Sequence, residues 1–441
     1  MQAAWDALAY SFLDLWAAFL RAFAHRAIWE WLLFFFPFYI FGEFPRYILP
    51  AIVMAVLKPL RGFKDETEQK RRFLEVKRPF VSVLLVGYQE EHDVTRAVDS
   101  LLEVGYENME IIVVDDGSTD SMYAVTQPYA ERGQVRLFKN TGATGRAGRP
   151  SASNMALQMA RGEFILSVDA DTSFDRDIIL HMIGPFYDER VGAVSGNLKV
   201  KNVQKSVWTK MQAIEYFLSI TMWKRWLDLF GMNMHASGAF SAYRRKTLAQ
   251  VGAWDPELAE DADLSLKIRK AGWKVAFAPQ AIAMTNVPET GRQLVRQRMR
   301  WDRGLLRTFF RKHGDLLRFW RFDWRNAFEM SLEYFFNVFM TFLYVVWLTM
   351  MIIYYPKVLL WVFAITFVLY TASTLLVLTS ALMFSERRGE EWWLLCLAPL
   401  FPIYKGLFRW VRLWALLLET FRINYEDPYL PESAWRNTGR W

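Results

Sequence analysis

Thiol and imidazole groups are scarce in this sequence. Its 441 residues include one cysteine, Cys396, and five histidines that show no metal-ligand spacing. An internal disulfide is therefore excluded, and neither a zinc site nor thiol chemistry is expected. The N-terminus also lacks the pattern of a removable signal peptide, because charged residues interrupt its apolar residues.

Apolar and aromatic residues are abundant instead. Hydrophobic residues make up 53% of the chain and aromatic residues 17%, which argues against a purely soluble protein. The net charge of +7 is compatible with nucleic acid, an anionic substrate or an anionic membrane as partner. The basic residues flank apolar segments, so we expect membrane lipids as partners and no nucleic acid. Part of the chain should therefore lie in a bilayer.

Membrane segments are predicted near the beginning of the chain. Residues 4–24 carry apolar side chains at helical spacing and predict a helix in the membrane interface, with a full span as the alternative. Residues 28–57 are long enough to cross the hydrocarbon once. The basic run at 58–78 assigns the domain that follows to the cytoplasm by the positive-inside rule. We therefore expect an integral protein of the inner or plasma membrane with a cytoplasmic catalytic domain.

Further apolar segments occupy the second half of the chain. Residues 305–326 interleave arginines with aromatic residues and predict an amphipathic helix on a headgroup layer, with a solvated basic helix as the alternative. Residues 330–355 and 358–384 predict a hairpin of two spans. The segment 392–421 contains Pro402 and basic residues, so a broken span and a partly interfacial helix both fit. The side of the membrane on which the tail lies stays open.

Between these segments, short β-branched runs alternate with helix-like stretches over residues 79–285. This alternation is typical of an α/β domain in which helices wrap a mostly parallel sheet. The predicted organisation in chain order is an interface helix and span at 1–57, a basic linker at 58–78, the α/β domain at 79–285, interface helices at 286–327, spans at 328–424 and a tail at 425–441.

Polar residues follow the first two predicted strands of this domain. Tyr88 and Glu90 come after Gly87, and glycine permits the close approach of a nucleotide. Asp116 lies in the segment DDGSTD after the second strand, where its carboxylate could accept hydrogen bonds from a base or a ribose. An ordinary capped turn explains that segment equally well.

Two further segments are suited to a nucleotide diphosphate. Arg149 stands at an apparent helix start, where a guanidinium and a helix N-terminus both favour anions, with a surface salt bridge as the alternative. Asp169 and Asp171 follow the apolar run FILSV. Two carboxylates at a strand end can chelate a hard divalent cation, and they are costly to bury without such compensation. The sequence therefore favours a metal site at this strand end.

An acidic segment precedes an amphipathic helix later in the domain. Glu260, Asp261 and Asp263 lie within four consecutive residues. We expect Asp263 to cap the helix, which leaves Asp261 free to act as a general base.

A basic and aromatic motif follows on a probable helix. Its members are Gln297, Arg298, Arg300 and Trp301. Guanidinium groups can bind phosphate oxygens, and an indole can stack on a sugar ring. A basic helix that faces lipid headgroups is the alternative interpretation.

Taken in this order, the motifs closely resemble those of the processive, membrane-bound family 2 glycosyltransferases, which make hyaluronan, chitin, cellulose and poly-N-acetylglucosamine. The resemblance covers most of the chain. It implies a GT-A type α/β domain with a mixed, mostly parallel sheet, inserted between N-terminal and C-terminal transmembrane helices. It also implies a UDP-sugar donor, a glycan acceptor and a divalent cation, Mg²⁺ or Mn²⁺. The segments GNLKV and QAIEY are most similar to amino-sugar polymer synthases, so N-acetylglucosamine is the expected sugar.

The resemblance assigns expected roles to individual residues. The uridine would be held by Tyr88, Glu90 and Asp116. The diphosphate and its metal would be bound by Asp169 and Asp171, with Arg149 in a place where the family commonly has lysine. The catalytic base would be Asp261. The acceptor and diphosphate side would be lined by Ser237, Gly238, Glu260, Gln297, Arg298, Arg300 and Trp301.

The activity implied by the resemblance is an inverting transfer to a growing β-linked polysaccharide that passes across the membrane. Single glycosylation of a membrane lipid, without polymer secretion, is the alternative. A catalytically inactive sugar-nucleotide sensor is disfavoured, because the DxD, ED and Q-x-x-R-W motifs are all present. The membrane part is short for this group, so an accessory subunit or self-association is expected to complete a channel.

Overall fold

A computed structural model of the chain describes residues 28–61, 68–142, 145–233 and 235–422, together with residues 10, 13–17, 20 and 21. The chain divides into two compact units, Met1–Arg61 with Leu332–Leu413 and Gly62–Ser331 with Trp414–Trp441. Most of the interface helix predicted at residues 4–24, and the whole tail at 425–441, lie outside the described residues.

The first helices of the described chain belong to the first unit. They are α1 (Ile28–Phe35), a π-helix (Tyr39–Ile48) and α2 (Leu49–Arg61). The helical stretch Tyr39–Lys58 is long and apolar enough to cross a membrane. Glu43 is buried within it, and its Oε2 lies 2.6 Å from Lys405 Nζ. An acidic side chain in this apolar stretch is therefore paired with a cation of the same unit.

The second unit is built on β-strands that match the apolar runs of the sequence. The strands are β1 (Val81–Gly87), β2 (Met109–Asp115), β3 (Arg136–Lys139), β4 (Thr141–Gly142), β5 (Gly145–Arg146), β6 (Phe164–Asp169), β7 (Ser173–Phe174), β8 (Val191–Val200), β9 (Phe240–Arg244) and β10 (Lys274–Thr285). All but β4 and β5 form one eight-stranded sheet in the order β3-β2-β1-β6-β9-β8-β10-β7. β9 runs antiparallel to both β6 and β8, and β7 runs antiparallel to β10, whereas the other neighbours are parallel. The predicted GT-A type sheet, mixed and mostly parallel, is confirmed.

The sheet is covered on both faces, which explains why its central strands are apolar throughout. Along β1, Val83 and Leu85 join one buried cluster while Leu84 and Val86 join another. Successive side chains of a strand point to opposite faces, so a strand that lacks polar alternation needs a layer on each side. Those layers come from the helices of this unit.

Between residues 68 and 305, the described part of this unit contains ten α-helices. They are α3 (Glu68–Lys77), α4 (Val94–Leu102), α5 (Met122–Glu131), α6 (Arg149–Met159), α7 (Ile178–Ile183), α8 (Val207–Tyr216), α9 (Arg225–Asp228), α10 (Arg245–Val251), α11 (Glu260–Lys270) and α12 (Gly291–Leu305). The motifs lie on three of these helices: α6 begins at Arg149, α11 begins at Glu260, and α12 carries Q-x-x-R-W.

The segment 305–326 is not the single amphipathic helix that the sequence predicts. α12 continues into a π-helix (Leu306–Lys312), a 3-10 helix (Gly314–Leu317) follows, and α13 (Trp324–Glu333) starts afresh. The break occurs at His313, which is buried and whose Nε2 lies 2.7 Å from Asp263 Oδ1. The chain is not helical at this buried contact. Beyond it, Phe319 and Trp320 lie in an exposed turn and not on the face of a helix.

The remaining helices belong to the first unit up to Leu413, and the last of them continues into the second unit from Trp414. Most of them are apolar. They are α14 (Met340–Tyr354), α15 (Pro356–Phe384), the short α16 (Arg388–Glu391) and α17 (Phe401–Thr420), with a 3-10 stretch (Trp392–Leu400) before α17. Within the described residues, four helical stretches could cross a membrane by length and composition: Tyr39–Lys58, Trp324–Tyr354, Pro356–Phe384 and Arg388–Thr420. The predicted hairpin corresponds to the second and third of these stretches.

Candidate active site

The loops that follow β1 and β2 are tied to each other. Gln89 donates from its backbone N–H to Ser118 Oγ at 2.9 Å and from its side chain to Thr119 Oγ1 at 3.1 Å. Gln89 has a φ of +58°, a conformation that residues other than glycine, asparagine and aspartate seldom adopt. A Cβ at Gly87 would lie 2.7 Å from the Ala170 Cβ as well as 2.4 Å from the end of the Met122 side chain, which favours glycine at this position. Tyr88 and Glu90 are therefore held on a fixed loop at the sheet edge.

The two aspartates after β2 have different surroundings. Asp115 accepts a hydrogen bond from the Ser118 N–H at 2.8 Å and so caps the turn, while its Oδ2 is buried without a partner among the described residues. Asp116 is also buried and accepts from Asn140 Nδ2 at 2.9 Å. The capped-turn interpretation of DDGSTD thus applies to Asp115.

Carboxylates are concentrated where β1 and β6 end. Burial and the nearby carboxylate of Asp171 raise the pKa of Glu90 to about 8, with further contributions from Asp93 and Asp169. Burial and the carboxylate of Asp169 likewise raise the pKa of Asp171 to about 6. Thr285, on β10, holds Asp171 through its hydroxyl at 3.3 Å. This crowding of like charge is the environment that a bound cation would relieve.

A divalent cation fits these residues only with ligands from elsewhere. Among the residues that the structure describes, no group of three or more acidic, histidine or cysteine side chains is arranged to hold a metal. Asp169 is engaged by Arg149, whose Nη1 lies 2.5 Å from its Oδ1. Hard cations take six or more oxygen ligands, so a substrate diphosphate would have to supply several of them. The donor set therefore suits a metal that binds together with a nucleotide.

Arg149 joins the two acidic motifs. It is the first residue of α6, and Gly148 before it has a φ of +92° that glycine tolerates. Besides Asp169, the guanidinium contacts the Gly238 carbonyl at 2.6 Å and the Glu260 carboxylate at 3.7 Å. Ion pairs of this arginine, which the sequence left open as the alternative, are present, and its side chain is 26% exposed; its role toward a diphosphate stays a prediction. The planar guanidinium group carries several N–H donors in a fixed arrangement, which suits it to contact Asp169, Gly238 and Glu260 at once.

Asp261 accepts three hydrogen bonds. Its Oδ2 receives the Gly238 N–H at 2.8 Å and lies 2.9 Å from His235 Nε2, and its Oδ1 receives the Ala262 N–H at 2.8 Å. Burial alone would raise the pKa of Asp261, but His235 and these amides hold it well below its ordinary value. Burial and the charge of Asp261 raise the pKa of the adjacent Glu260 to about 7. Asp261 is thus an ionised carboxylate, and the adjacent Glu260 holds a proton more readily.

Asp263 does not cap α11, contrary to the sequence-based expectation. The helix begins at Glu260 and its N-cap is Ala259, so Asp263 lies inside the first turn. It is fully buried and contacts Lys312 Nζ at 2.8 Å as well as His313. The helix start is set by tertiary ion pairs that local sequence does not reveal, and Asp261 is nevertheless left facing the site.

The loop before β9 is anchored by a buried lysine that the sequence did not single out. Lys224 Nζ donates to Ser237 Oγ at 2.7 Å, to Ser195 Oγ at 2.8 Å and to the His235 carbonyl at 3.0 Å. Burial lowers the pKa of Lys224 to about 8. Neither Lys224 nor His235 belongs to a spaced motif, so no sequence signal could have identified them.

The helix α12 presents its motif residues in two directions. Gln297 and Arg300 line a cavity of about 500 Å³ together with Asp93, Lys201 and Arg296. Excess positive charge along this cavity suits a phosphorylated ligand.

The other two motif residues of α12 contact each other. Arg298 is buried, with its Nη2 2.6 Å from Glu215 Oε2, and its guanidinium stacks 4.1 Å from the Trp301 ring centre. Trp301 keeps 42% of its surface exposed. Arg298 therefore orients the indole and fixes α12 on α8, while Trp301 remains accessible for stacking.

The structure thus gathers most of the predicted residues at one edge of the sheet. Asp169, Arg149, Glu260, Asp261 and Gly238 form one connected network. Glu90 and Asp171 interact electrostatically with that network through Asp169. Ser237 is held by Lys224, which also donates to the carbonyl of His235.

Comparison with known proteins identifies relatives for this arrangement. Residues 78–304 match the family described as glycosyltransferase like family 2. The poly-beta-1,6-N-acetyl-D-glucosamine synthase of Staphylococcus aureus (strain COL) is 33% identical over 239 residues, which cover 52% of this chain and 56% of that protein. The synthase of the same name from Staphylococcus epidermidis is 33% identical over 236 residues with the same coverage. The chain thus matches about half the length of these curated relatives.

A solved structure supports the fold independently. The mannosyltransferase PcManGT from Pyrobaculum calidifontis, solved in complex with GDP-Man and Mn²⁺, is similar with a TM-score of 0.53 and 21% identity. The similarity covers 76% of this chain and 97% of that one. Because the family match extends over more than half of its length, this chain belongs to the glycosyltransferase-like family 2.

Proposed function

We propose that this protein is an inverting polysaccharide synthase that transfers N-acetylglucosamine from its UDP conjugate to a growing β-linked chain. The observation that carries the proposal is the network in which Arg149 bridges Asp169 of the DxD motif to Glu260 beside Asp261. A cluster of this kind supports the proposal, because a single displacement at the anomeric carbon needs a base and a diphosphate site close to each other. The names of the staphylococcal relatives support the amino sugar and a 1,6 linkage.

In this mechanism each residue has a separate task. Asp261 accepts the proton of the acceptor hydroxyl as that oxygen attacks the anomeric carbon and the bond to the diphosphate breaks. Asp169 and Asp171 would hold a divalent cation, Mg²⁺ or Mn²⁺, which when bound would neutralise the diphosphate oxygens. Arg300 and Gln297, which line a cavity beside α12, would bind the leaving diphosphate, and Trp301 would offer a stacking surface to the acceptor sugar.

The proposal extends to the membrane. The apolar helical stretches would anchor the chain and contribute to a path for the product, with the catalytic domain on the cytoplasmic side. A second copy or an accessory subunit would complete that path, because four stretches provide few helices for a channel.

The test is UDP release by the purified protein in lipid nanodiscs across a panel of UDP-sugars, followed by sizing of the product before and after digestion with a glycosidase. A high-molecular-weight product from UDP-N-acetylglucosamine alone would support the synthase. A lipid carrying one sugar would replace it with single glycosylation of a lipid. Absence of release with every donor, in a preparation that still binds UDP, would contradict the proposed donor class.

Because the carboxylates of Glu90, Asp169 and Asp171 lie close together, we expect activation by Mn²⁺ to depend on pH. Glu90, with a pKa of about 8, holds a proton at neutral pH when no cation is bound, and a cation held by the neighbouring Asp169 and Asp171 would favour release of that proton. The Mn²⁺ concentration for half-maximal UDP release should therefore fall by up to about tenfold per pH unit between pH 6.5 and 8. Glu90→Gln should flatten this dependence. A half-maximal concentration that is independent of pH in the unmodified protein would refute the prediction.

A further inference from the structure

His235 lies in the loop between α9 and β9, opposite the start of α11. Its Nε2 is 2.9 Å from Asp261 Oδ2. An ionised carboxylate only accepts hydrogen bonds, so the Nε2 of this imidazole must carry the proton and donate it. Of the three donors on Asp261, His235 is the one that comes from a side chain.

The peptide unit that follows this imidazole is held by hydrogen bonds at both its carbonyl and its N–H. Lys224, itself buried, donates to the His235 carbonyl at 3.0 Å, and the next residue, Ala236, donates its N–H to Ser265 Oγ at 3.0 Å. Ser265 in turn donates to the Asp261 carbonyl at 2.7 Å. The loop and the first turn of α11 are thus one hydrogen-bonded assembly, and the imidazole is aimed at Asp261 by its own main chain.

The pair remains accessible despite these contacts. The His235 side chain is 40% exposed and the Asp261 side chain 23% exposed. A histidine that served only to fill the core would be buried, and one that served only solubility would have no need of an anchored backbone. Both side chains can therefore be reached by a hydroxyl that enters the site.

The hydrogen bonds are distributed unequally over the two carboxylate oxygens. Oδ2 accepts from both His235 and Gly238, whereas Oδ1 accepts from Ala262. A carboxylate oxygen has two acceptor positions, so Oδ1 retains one for an incoming proton. Oδ2 is thus the oxygen that two donors fix in place, and Oδ1 is the oxygen that can take up a proton.

We infer that His235 is a positioning residue that fixes Asp261 so that Oδ1 faces the acceptor hydroxyl. This inference rests on the proposed function, in which Asp261 is the base. The imidazole keeps its proton throughout: the acceptor proton goes to Oδ1 while the new glycosidic bond forms and UDP departs. His235 acts through Asp261 and does not itself touch the reacting atoms.

The inference has a consequence for the pH profile. Loss of the His235 donor removes a hydrogen bond to the charged form of Asp261, so the pKa of Asp261 should rise. A base works only when it is ionised, so the acidic limb of kcat/KM should move to higher pH. The charged and titratable groups that also face Asp261, and that are unchanged in such a variant, are Arg149, Asp169, Lys224, Tyr243 and Glu260.

The experiment compares His235→Phe, His235→Gln and Asp261→Asn in nanodiscs, with UDP binding and thermal unfolding as checks on folding. His235→Phe should lower kcat about tenfold, the effect of losing one charge-assisted hydrogen bond, with the donor KM within about twofold. Where the acidic limb is set by Asp261, it should move to higher pH. His235→Gln keeps an N–H at the position of Nε2 and should recover most of kcat and of the original limb.

Several outcomes would overturn the inference, and they differ from failure of the proposed function. A His235→Phe protein with unchanged kcat and pH profile, beside an inactive Asp261→Asn protein, would remove the role of His235 alone. A His235→Gln protein as inactive as Asp261→Asn would make the imidazole the base, because glutamine cannot take up a proton. Full activity of Asp261→Asn would instead refute the proposed base, and with it the function on which the inference rests.

Discussion

Replacement of Asp261 by asparagine should lower the turnover of UDP-N-acetylglucosamine by about 10³-fold while UDP still binds. A positioned general base contributes typically about 10² to 10⁴ in rate, and an amide of the same size cannot accept the acceptor proton. The effect should appear in kcat, because Asp261 would contact the acceptor hydroxyl and not the uridine. Steady-state UDP release and calorimetric titration with UDP measure the two quantities separately.

A matched control for this variant is Asp99→Asn. Asp99 is an exposed aspartate on α4 that accepts a hydrogen bond from Tyr129 at 2.7 Å, outside the network around Asp169. It undergoes the same chemical change and should keep activity within about twofold, since surface substitutions have small effects. If Asp261→Asn retained more than about a tenth of the activity, Asp261 would not be the base.

Replacement of Glu419 by glutamine should produce the largest loss of stability among single charge changes in the second unit. Glu419 is buried near the end of α17, and the Nε atoms of Arg303 and Arg307 lie 3.1 and 3.3 Å from its carboxylate. Arg311 Nη1 contacts the same carboxylate at 2.8 Å. Removal of one partner from a buried ion pair costs about 3–5 kcal/mol, because the remaining charges stay buried without compensation.

The matched control is Glu163→Gln, the same substitution at an exposed pair. Glu163 contacts Lys77 at 2.7 Å, and both side chains are 46% exposed. An exposed pair contributes about 0–1 kcal/mol, so this variant should unfold close to the unmodified protein. Thermal unfolding of the two variants in the same detergent checks the difference. Equal midpoints would contradict the claim that the three arginines depend on Glu419.

We expect the ion pairs between Glu419 and the three arginines to affect activity as well, because Arg303 follows Trp301 on α12 by less than one helical turn. Loosening α12 at this end should lower kcat as well as stability. The motif alone does not predict this loss of activity, because Gln297, Arg300 and Trp301 are all unchanged in the Glu419→Gln variant.

Much of the fold follows directly from the sequence. The runs VSVLLV and FILSVD lack polar alternation, and this predicts strands buried on both faces, as β1 and β6 are. The start of α6 at Arg149 and the position of the Q-x-x-R-W motif on α12 were also predicted. These features are local, since they depend on residue type, spacing and the backbone preferences of short segments.

The failures of prediction share a physical cause. Asp263 has the residue type and position of a helix cap, yet it pairs with Lys312 and His313, some fifty residues away in the chain. The same contacts break the helix that the pattern of residues 305–326 predicts. In both cases a buried ion pair between distant segments outweighs a local preference worth about 1 kcal/mol.

By itself, the sequence determined that this chain combines segments long and apolar enough to span a membrane with an α/β glycosyltransferase domain, and it identified the acidic and basic motifs of the candidate site. Periodicity and motif spacing are properties of neighbouring residues, so they can be read without a fold. Only the tertiary structure decided which of those residues meet: Arg149 bridges Asp169 to Glu260, and His235 with Lys224 enters the site. Such contacts join strands and loops that are far apart in the chain, and their partners are fixed by the packing of the whole sheet.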